Sequence, residues 1–568
     1  MIDKLYPYQR DIVKRIVDNY DKYDYFLINS PTGTGKTITA LSIIHELLRK
    51  GLVNRALWFT RTHNEYYPIF RDVKKFKLVM ISPVPLIGKS HLCDSPLRVV
   101  AEELGEHINI CKLCPKAPMK YLPQLLLDLV VKGVDETLKA IPRQYCKYLT
   151  LWELTGYSNL ILLTYPYLLG RARQKLDKNI SYELLVIDEA HNLEHLSDYI
   201  SSTLTLDHIK HLIMKGYNLR PLLELWAREY ANSSNKDIKY LEKGKVIPLL
   251  QQMDRRIFKL YRNVIEYPQL FEKKTIRSVL ALIRFIQMLD DHLFELFIYK
   301  NGYKLINTDI RLMIQNTINR KAIMMSGTLP SPEYIRQVWG LDNFIYIDVV
   351  REYDIKWGIR RWVWSREVTT KLAIREQHIP VMKQYIDRIL AKAEPIIFIV
   401  FPSYDYMKRF IDIANKYQCI VESEYGTKIE DVISKALEGK VKCIFAVAGG
   451  RLTEGIEITR DGRSLIRTIV MAGVPYPVPN DLLKRKAYHI AKRLELDRGK
   501  YYLFMFHVPA SVSTRQAIGR GIRHREDTNT IFLLDWRYHH FFKDLGVDKV
   551  IEVRLKRYPV KNSGGGGK

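Results

Sequence analysis

One short segment near the start of the chain restricts the possible folds more than any other feature. Residues 30–37 read Ser-Pro-Thr-Gly-Thr-Gly-Lys-Thr; an apolar run precedes them at residues 25–28, and an apolar-periodic stretch follows at residues 38–48. A strand, a glycine-rich loop and a helix in this order form a phosphate-binding loop, because the backbone N–H groups of the loop and the helix N-terminus attract phosphate oxygens. The segment predicts an α/β domain with a parallel sheet that binds a nucleotide.

The residue types of this loop give its positions distinct expected roles. Glycines let the backbone turn its N–H groups towards the phosphates, while Lys36 is expected to reach the β- and γ-phosphates and Thr37 to ligate magnesium. Ser30 departs from the usual pattern, which has Gly at this position. The expected nucleotide-binding residues are Ser30, Gly33, Thr34, Gly35, Lys36 and Thr37.

An acidic motif, Asp188-Glu189-Ala190-His191, directly follows the apolar run at residues 184–187. An acid at the carboxyl end of a parallel strand faces the cleft that holds the phosphates. We expect Asp188 to hold magnesium and Glu189 to orient or deprotonate the attacking water. His191 is expected to link the nucleotide site to the parts of the protein that move.

A second α/β pattern begins near Pro395, with strand candidates at residues 396–401, 443–447, 468–471 and 531–534. After the third of these comes Gln516-Ala517-Ile518-Gly519-Arg520-Gly521-Ile522-Arg523. Two arginines three residues apart are expected to share one helix face. Guanidinium groups there would suit the charge that develops on a transferring phosphoryl group; the alternative is a basic, solvated helix face.

The charge balance narrows the choice of partner. Lys and Arg number 89 against 62 Asp and Glu, a surplus of 27 that favours a polyanion such as nucleic acid over a merely basic surface. The longest uncharged stretch, residues 155–170, is too short to span a bilayer. With no apolar leader at the start, we expect a cytoplasmic protein without membrane contact.

Two stretches interrupt the first α/β pattern. Four of the six cysteines, at 93, 111, 114 and 146, lie between the phosphate loop and the acidic motif. Reduced thiolates at this spacing suit zinc or an iron–sulfur cluster, and unrelated buried cysteines are the third alternative. Cys419 and Cys443 are expected to be small core residues. Residues 206–303 are poor in glycine and have apolar residues at helical spacing, which predicts a helical domain with its own core.

The motifs together resemble a known family. The phosphate loop, the acidic motif, Ser326-Gly327-Thr328-Leu329, the stretch Gly449-Gly450-Arg451-Leu452-Thr453-Glu454-Gly455-Ile456-Glu457 and residues 516–523 occur in the order found in superfamily 2 helicases. Arg61-Thr62-His63-Asn64-Glu65 and Thr164-Tyr165-Pro166-Tyr167-Leu168-Leu169 narrow the resemblance to the xeroderma pigmentosum group D (XPD) helicase family in its short archaeal form.

This resemblance implies a fold and a domain order. XPD-like proteins have two RecA-like parallel-sheet motor domains, with an iron–sulfur cluster domain and an α-helical arch domain inserted in the first. On this chain the resemblance implies motor domain 1 at residues 1–85, 151–205 and 305–330, the cluster domain at 86–150, the arch at 206–304, motor domain 2 at 331–560 and a flexible tail at 561–568.

The resemblance also implies residue roles. It places a [4Fe–4S] cluster on Cys93, Cys111, Cys114 and Cys146. Gln9 matches a position that contacts adenine, Gly455 and Glu457 belong to a nucleotide-coupling motif, and Gln516, Arg520 and Arg523 complete the catalytic set. Glu457 stands where Asp is usual and Gly521 where Ala is common.

The implied activity is that of an ATP-dependent 5′-3′ DNA helicase acting in nucleotide excision repair. Its expected partners are single-stranded and forked DNA and repair proteins, and the expected state is a monomer. Two alternatives stay open: a DinG-like or FANCJ-like iron–sulfur helicase with another genome-maintenance role, and a scaffold subunit whose ATPase is secondary.

Overall fold

The computed structural model describes residues 4–93, 114, 116–119, 123–231, 238–253, 255–424 and 426–555. The chain separates into two compact units. Unit 1 comprises Met1–Ser30, Gly35–Glu352 and Val478–Tyr501, and unit 2 comprises Pro31–Thr34, Tyr353–Pro477 and Tyr502–Lys568.

The strands, in chain order, are β1 (Tyr25–Asn29), β2 (Ala56–Thr60), β3 (Pro83–Pro85), β4 (Leu160–Thr164), β5 (Leu184–Ile187), β6 (Ser202–Thr205), β7 (Ile238–Leu241), β8 (Glu295–Tyr299), β9 (Gly302–Ile306), β10 (Lys321–Ser326), β11 (Phe344–Asp348), β12 (Ile359–Ser365), β13 (Ile397–Phe401), β14 (Ile420–Val421), β15 (Cys443–Val447), β16 (Thr459–Arg460), β17 (Arg463–Ser464), β18 (Thr468–Met471), β19 (Thr528–Leu534) and β20 (Val550–Glu552).

The α-helices are α1 (Pro7–Asp18), α2 (Lys36–Arg49), α3 (Tyr66–Phe76), α4 (Lys89–Leu92), α5 (Pro123–Lys132), α6 (Val134–Ala140), α7 (Lys147–Leu154), α8 (Gly170–Asn179), α9 (Leu196–Ile200), α10 (Leu206–Met214), α11 (Arg220–Ala231), α12 (Ile247–Gln251), α13 (Arg256–Glu266), α14 (Lys273–Leu289), α15 (Ile310–Thr317), α16 (Pro332–Tyr334), α17 (Val349–Glu352), α18 (Arg375–Lys392), α19 (Tyr404–Met407), α20 (Ile411–Lys416), α21 (Ile429–Leu437), α22 (Arg451–Gly455), α23 (Asp481–Ala491), α24 (Arg498–Tyr502), α25 (Val508–Ile518) and α26 (Phe542–Leu545).

Unit 1 is built on a parallel sheet in the order β11-β1-β10-β5-β2-β4-β3. Its central strands are buried along their whole length, as in β2 and β5, because helices cover both faces of a parallel sheet. The strands predicted at the positions of β1 and β5 are confirmed. β11 pairs with β1, so this sheet also takes in a strand that follows residue 330, the predicted end of motor domain 1.

Unit 2 has a second parallel sheet, in the order β14-β15-β13-β18-β19-β12-β20. Alternate residues of β13 pack into different apolar clusters: Phe398 and Val400 into one, Ile397 and Ile399 into the other. Because side chains of a strand alternate between its two faces, the sheet has a core on each side. The predicted strands are confirmed, with β15 and β18 found at the predicted residues.

Cys419 and Cys443 are joined by a disulfide. Cys443 lies in a core cluster of unit 2 and the half-buried Cys419 packs against it, so both contribute to the core as expected, but sequence reasoning did not predict the bond between them. The physical reason is strand register: Ile420 pairs with Ile444, so the residues immediately before them are also neighbours, with Cα atoms 4.7 Å apart.

The stretch between β5 and β10 is not purely helical. It contains an antiparallel sheet in the order β6-β9-β8-β7, and the helices α10, α11, α13 and α14 pack with it around one apolar cluster. The predicted separate core is confirmed, whereas the prediction of helix alone missed the sheet. β8 and β9 are short and buried over most of their length, so they lack the alternation of apolar and polar residues that marks a half-buried strand in sequence.

In the described part of the chain, no helix combines the length and the apolar character needed to cross a membrane.

A buried carboxylate in unit 2 provides a test of this fold. Asp535 is fully buried; it accepts hydrogen bonds from the backbone N–H of Thr370 at 2.7 Å and from Arg537 Nη2 at 2.7 Å. Removing one partner of a buried ion pair leaves the other charge uncompensated. We expect Asp535→Asn to lower the free energy of unfolding by about 3–5 kcal/mol, measured by calorimetry.

The matched control is Glu438→Gln, which removes a surface ion pair with Lys440. Exposed pairs contribute about 0–1 kcal/mol, so this variant should melt as the wild type does. Equal effects of the two substitutions would contradict the structural role assigned to Asp535.

Candidate nucleotide-hydrolysis site

Three strand ends of unit 1 meet at one edge of its sheet. β10 lies between β1 and β5; Asn29 pairs with Ser326, and Ile187 pairs with Met324. Because the strands are parallel, the residues that follow β1 and β5 lie at this same edge. The backbone N–H of Ser30 donates to Ser326 O at 2.8 Å, which ties the start of the phosphate loop to the end of β10.

The phosphate loop is shaped by its glycines and by α1. Gly35 has φ +79°, and a Cβ placed on it would lie 2.5 Å from Gln9 Nε2, so no other residue fits here without displacement. Gln9 is buried, and its Oε1 accepts from Tyr6 N at 2.9 Å. Lys36 and Thr37 open α2, as predicted.

Gly33 and Thr34 belong to Pro31–Thr34, the four residues of the loop that group with unit 2. Gly33 has φ +91°, in the region that favours glycine. Thr34 is buried, and its hydroxyl donates to Pro31 O at 2.6 Å. The side chain of Thr34 therefore closes the turn at residues 31–34.

Glu189 is the centre of the unit 1 site. Lys36 Nζ lies 3.8 Å from Glu189 Oε1, and Ser326 Oγ donates to Glu189 Oε2 at 3.2 Å. His191 Nδ1 lies 2.6 Å from Ser326 Oγ and 3.3 Å from Glu189 Oε2. The acidic motif therefore contacts both the phosphate-loop lysine and the end of β10.

Tyr165 hydrogen-bonds to the backbone of the acidic motif. The Tyr165 hydroxyl donates to Asp188 O at 2.6 Å and to Glu189 O at 3.0 Å, and its ring is fully buried. Glu189 has φ +50°, a conformation that costs free energy for a residue with a side chain. The tyrosine stabilises this turn, which directs the Glu189 carboxylate towards Lys36.

Burial shifts the protonation of two groups of the motif. Burial raises the pKa of Asp188 to about 7; the charges of Glu189 and Glu65 also raise it, and Lys36 opposes them. A bound cation stabilises the charged form of a carboxyl whose pKa is raised in this way. The surroundings of Asp188 therefore fit a Mg²⁺ ligand. Burial lowers the pKa of His191 to about 4 against the pull of Glu189, so its imidazole is neutral at pH 7.

Unit 2 carries the arginines, but not on one helix face as predicted. α25 ends at Ile518; Arg520 lies in a 3₁₀ turn, Ile522 is extended, and Arg523 follows in a bend. Gly521 packs closely against β19, because a Cβ there would lie 2.0 Å from Asn529 Nδ2.

Both arginines instead contact the stretch around α22. Arg520 Nε donates to Thr453 O at 2.8 Å, and its Nη2 donates to Glu454 O at 3.0 Å, one residue before Gly455. Arg523 is buried, with Nη2 3.2 Å from Glu457 Oε1. Gln516 lies half-buried in α25. Unit 2 thus brings its predicted motifs together.

Sequence reasoning gave no site role to Ser326, Tyr165 or Glu65. Ser326 and Tyr165 were noted only as parts of motifs, and each acts through a contact to a residue more than 20 positions away in the chain. Glu65 is half-buried, accepts from Arg61 N at 3.0 Å, and its charge reaches Asp188. Side-chain contacts over such distances in sequence leave no local pattern.

Of the four predicted cluster ligands, Cys111 lies outside the described residues. Cys93 ends α4, which packs against α7, and Cys146 caps the start of α7. Cys146 N donates to Ala117 O at 2.8 Å, which joins the segment at Ala117 to the start of α7. Within the described ranges, no three His, Cys, Asp or Glu side chains converge as a metal site. The donor set is all thiol, which suits an iron–sulfur cluster.

Family models match three parts of the chain. A helicase C-terminal domain matches residues 386–545, a DEAD_2 domain matches residues 58–209, and the res subunit of type III restriction enzymes matches residues 2–80. The matched parts contain the phosphate loop, the acidic motif and both arginines.

Similar proteins extend the match to nearly the whole chain. The ATP-dependent DNA helicase XPD of Sulfolobus acidocaldarius is 31% identical over 95% of this chain and 97% of its own length. A solved XPD helicase structure covers 97% of this chain and 100% of its own, with a TM-score of 0.76 and 27% identity; an apo XPD structure gives 0.72 and 27%. The ATP-dependent DNA helicase CHL1 of Vanderwaltozyma polyspora is 25% identical over 87% of this chain and 71% of its own length. With the site geometry and this degree of similarity, the chain belongs to the XPD-like family of ATP-dependent DNA helicases.

Proposed function

We propose that this chain hydrolyses ATP at the site around Glu189 and uses the energy to move 5′ to 3′ along single-stranded DNA and separate duplex DNA. The observation that carries the proposal is the contact of Glu189 with Lys36 on one side and with Ser326 and His191 on the other. This arrangement connects the phosphate loop to a neighbouring strand end. A module that only binds a nucleotide does not need such a connection.

Each side chain of unit 1 then has a chemical task. Lys36 neutralises the β- and γ-phosphates, and Thr37 and Asp188 hold Mg²⁺, which supplies positive charge for the phosphoryl oxygens. Glu189 orients the attacking water and accepts its proton. Ser326 and neutral His191 keep the Glu189 carboxylate in place, and Gln9, packed on Gly35, is the proposed adenine contact.

The guanidinium groups proposed to stabilise the transition state belong to unit 2. Arg523 and Arg520 are the proposed arginine fingers, with Gln516 and Gly455 completing the nucleotide contacts. Glu457 lies 3.2 Å from Arg523, so its carboxylate positions the guanidinium of Arg523 before the nucleotide arrives. A preorganised guanidinium costs no reorganisation at the moment of reaction.

We further propose that Cys93, Cys111, Cys114 and Cys146 hold a [4Fe–4S] cluster. The supporting observation is the tie between Ala117 and Cys146, which joins two of the cysteine segments. When bound, such a cluster contributes folding free energy to the small domain at residues 86–150. This domain and the arch are the proposed wedge that parts the duplex.

Unwinding of forked DNA tests the proposed DNA substrate and cellular role. The surplus of 27 positive charges supports a nucleic-acid partner. We expect a monomer that works in the cytoplasm and unwinds forks with a free 5′ tail but not blunt duplex or forks with only a 3′ tail. ATP hydrolysis without unwinding would favour the scaffold alternative. Unwinding that does not change when the fork carries a lesion would favour a DinG-like or FANCJ-like role over nucleotide excision repair.

Lys36→Ala should abolish ATP turnover and leave DNA binding intact, because it removes the charge that holds the phosphates. Glu189→Gln should bind ATP and fail to hydrolyse it, because an amide cannot accept the proton of water. Nucleotide affinity and phosphate release are measured side by side, with Lys50→Ala at the exposed end of α2 as the control. Turnover near the wild-type rate in either variant would show that the phosphate site is misassigned.

Arg523→Ala should slow hydrolysis by about 10³- to 10⁵-fold with little change in ATP affinity, as for arginine fingers elsewhere. The measurement is single-turnover hydrolysis beside equilibrium binding of ATP. Arg525→Ala, an exposed arginine two residues on, is the control and should behave as the wild type. If Arg523→Ala lost only DNA affinity, Arg523 would belong to the strand contact instead.

Cys146→Ser should lose iron and sulfide and fail to unwind forks, because the cluster domain loses its metal. ATP hydrolysis stimulated by single-stranded DNA should persist in part, since Lys36 and Glu189 lie outside that domain. Cys419→Ser removes a cysteine of unit 2 and should keep its iron. Full unwinding by iron-free Cys146→Ser would refute the proposed role of the cluster.

A further inference from the structure

One segment of the chain belongs to unit 1 although unit 2 flanks it on both sides in sequence. Val478–Tyr501 groups with unit 1, while the chain before Pro477 and after Tyr502 continues in unit 2. The segment carries α23, which starts at a regular N-cap: Asn480 Oδ1 accepts from Leu483 N at 3.0 Å. None of the helicase motifs lies in it.

The first anchor of α23 is Glu295, at the start of β8. Arg485 Nε donates to Glu295 Oε1 at 2.9 Å, and the guanidinium lies 4.6 Å from the ring centre of Tyr240 in β7. The Glu295 side chain is 12% exposed. Burial raises its pKa, but hydrogen bonds from His489, Arg485 and Thr308 outweigh burial and lower the pKa to about 2.

The second anchor is Asp309, the N-cap of α15. Arg493 donates to it with both Nη atoms, and the Asp309 side chain is 10% exposed. Asp309 Oδ1 also accepts from Leu312 N at 3.0 Å, so the same carboxylate starts the helix. α15 leads directly into β10, whose last residue, Ser326, holds Glu189.

His489 and Asp481 complete the contact. His489 Nε2 lies 3.3 Å from Glu295 Oε1, and its Nδ1 lies 3.7 Å from Asp309 Oδ2, so one ring spans both anchors. Asp481 Oδ2 accepts from Tyr240 N at 3.1 Å, on the edge strand of the antiparallel sheet. Arg485 and His489 are four residues apart and therefore share one face of α23.

The same helix also reaches the region behind the acidic motif. Glu194, five residues after Glu189, is half-buried and accepts from Trp339 Nε1 at 2.8 Å and Tyr334 Oη at 3.1 Å. Burial raises the pKa of Glu194, and the charge of Lys486 in α23 lowers it. α23 is thus electrostatically linked to the turn that follows the hydrolysis site.

We propose that α23 is a coupling strut: through Arg485, His489 and Arg493 it fixes the base of the arch sheet and the start of α15, so that steps of the ATPase cycle are passed to the arch. The inference rests on the proposed helicase function. It makes Arg485 and Arg493 positioning residues for strand separation, with no part in hydrolysis. Two nearly buried carboxylates, each paired with an arginine, form a joint that resists displacement, because exposing either charge alone is costly.

The test compares hydrolysis with unwinding in matched variants. Arg493→Gln removes the charge on the strut, and Asp309→Asn removes the charge on the anchor while keeping a good N-cap for α15. We expect the melting temperature to fall, because each variant leaves its partner charge uncompensated. Single-stranded-DNA-stimulated ATPase, measured well below that melting temperature, should match the wild type. Fork unwinding should fall about 5- to 150-fold, the range that coupling between sites spans.

Two further variants separate coupling from a general structural effect. If the pair acts as one joint, the double variant should be no slower than either single variant. Arg493→Lys, which keeps the charge, should restore most of the unwinding rate. Arg498→Gln, an exposed arginine of the same segment, is the control.

The outcomes distinguish the two proposals. A wild-type chain that fails to unwind any fork overturns the proposed function. A wild type that unwinds, with Arg493→Gln and Asp309→Asn unwinding equally well, overturns only the strut. Loss of ATPase, unwinding and melting temperature together in both variants would also overturn it, because the pair would then be a stability element.

Discussion

The parallel register of β1, β10 and β5 is the constraint on which the hydrolysis site depends. Because Asn29 pairs with Ser326 and Ile187 with Met324, three strands that lie far apart in the chain end at one edge of one sheet. Lys36, Glu189 and Ser326 each follow or end one of these strands. A shift of one residue in this pairing would move every side chain to the opposite face and separate Glu189 from Lys36.

The same sheet explains how the chain carries large insertions without losing the site. The cysteine-bearing segment leaves after β3, at the edge of the sheet, and returns in β4, while the arch leaves after β5 and returns in β10. The catalytic groups are attached to strand ends that are held by their neighbours. Further contacts, such as Tyr165 beneath the acidic motif and α23 on Asp309, link the inserted parts and the site physically.

In unit 2, tertiary contacts position Arg520 and Arg523, which were expected to share one helix face. α25 ends before the two arginines, and these contact Thr453 and Glu457 instead of sharing a helix face. The departure of Gly521 from the alanine common in the family has a local reason here, because a methyl group would clash with Asn529 of β19. The shared helix face that the spacing predicted is the wrong geometry.

Local patterns were enough to predict much of this protein. The apolar runs at β1, β2, β5, β15 and β18, the phosphate loop and the acidic motif were predictable because a buried strand followed by a glycine or an acid is a local signal. Motifs and spacing likewise predicted Lys36, Asp188, Glu189 and the arginines as candidate site residues. The resemblance carried by the motifs, borne out by the relatives, extended this to the family.

Tertiary structure alone decided the rest. The antiparallel sheet of the arch, the Cys419–Cys443 disulfide, the support of Glu189 by Ser326 and Tyr165, and the place of α23 in unit 1 all depend on residues distant in sequence. Such contacts form only when long loops close, at a cost in chain entropy, and they leave no periodic pattern in the sequence. Sequence therefore determined which groups are candidates for the chemistry, and packing determined which neighbours hold them in position.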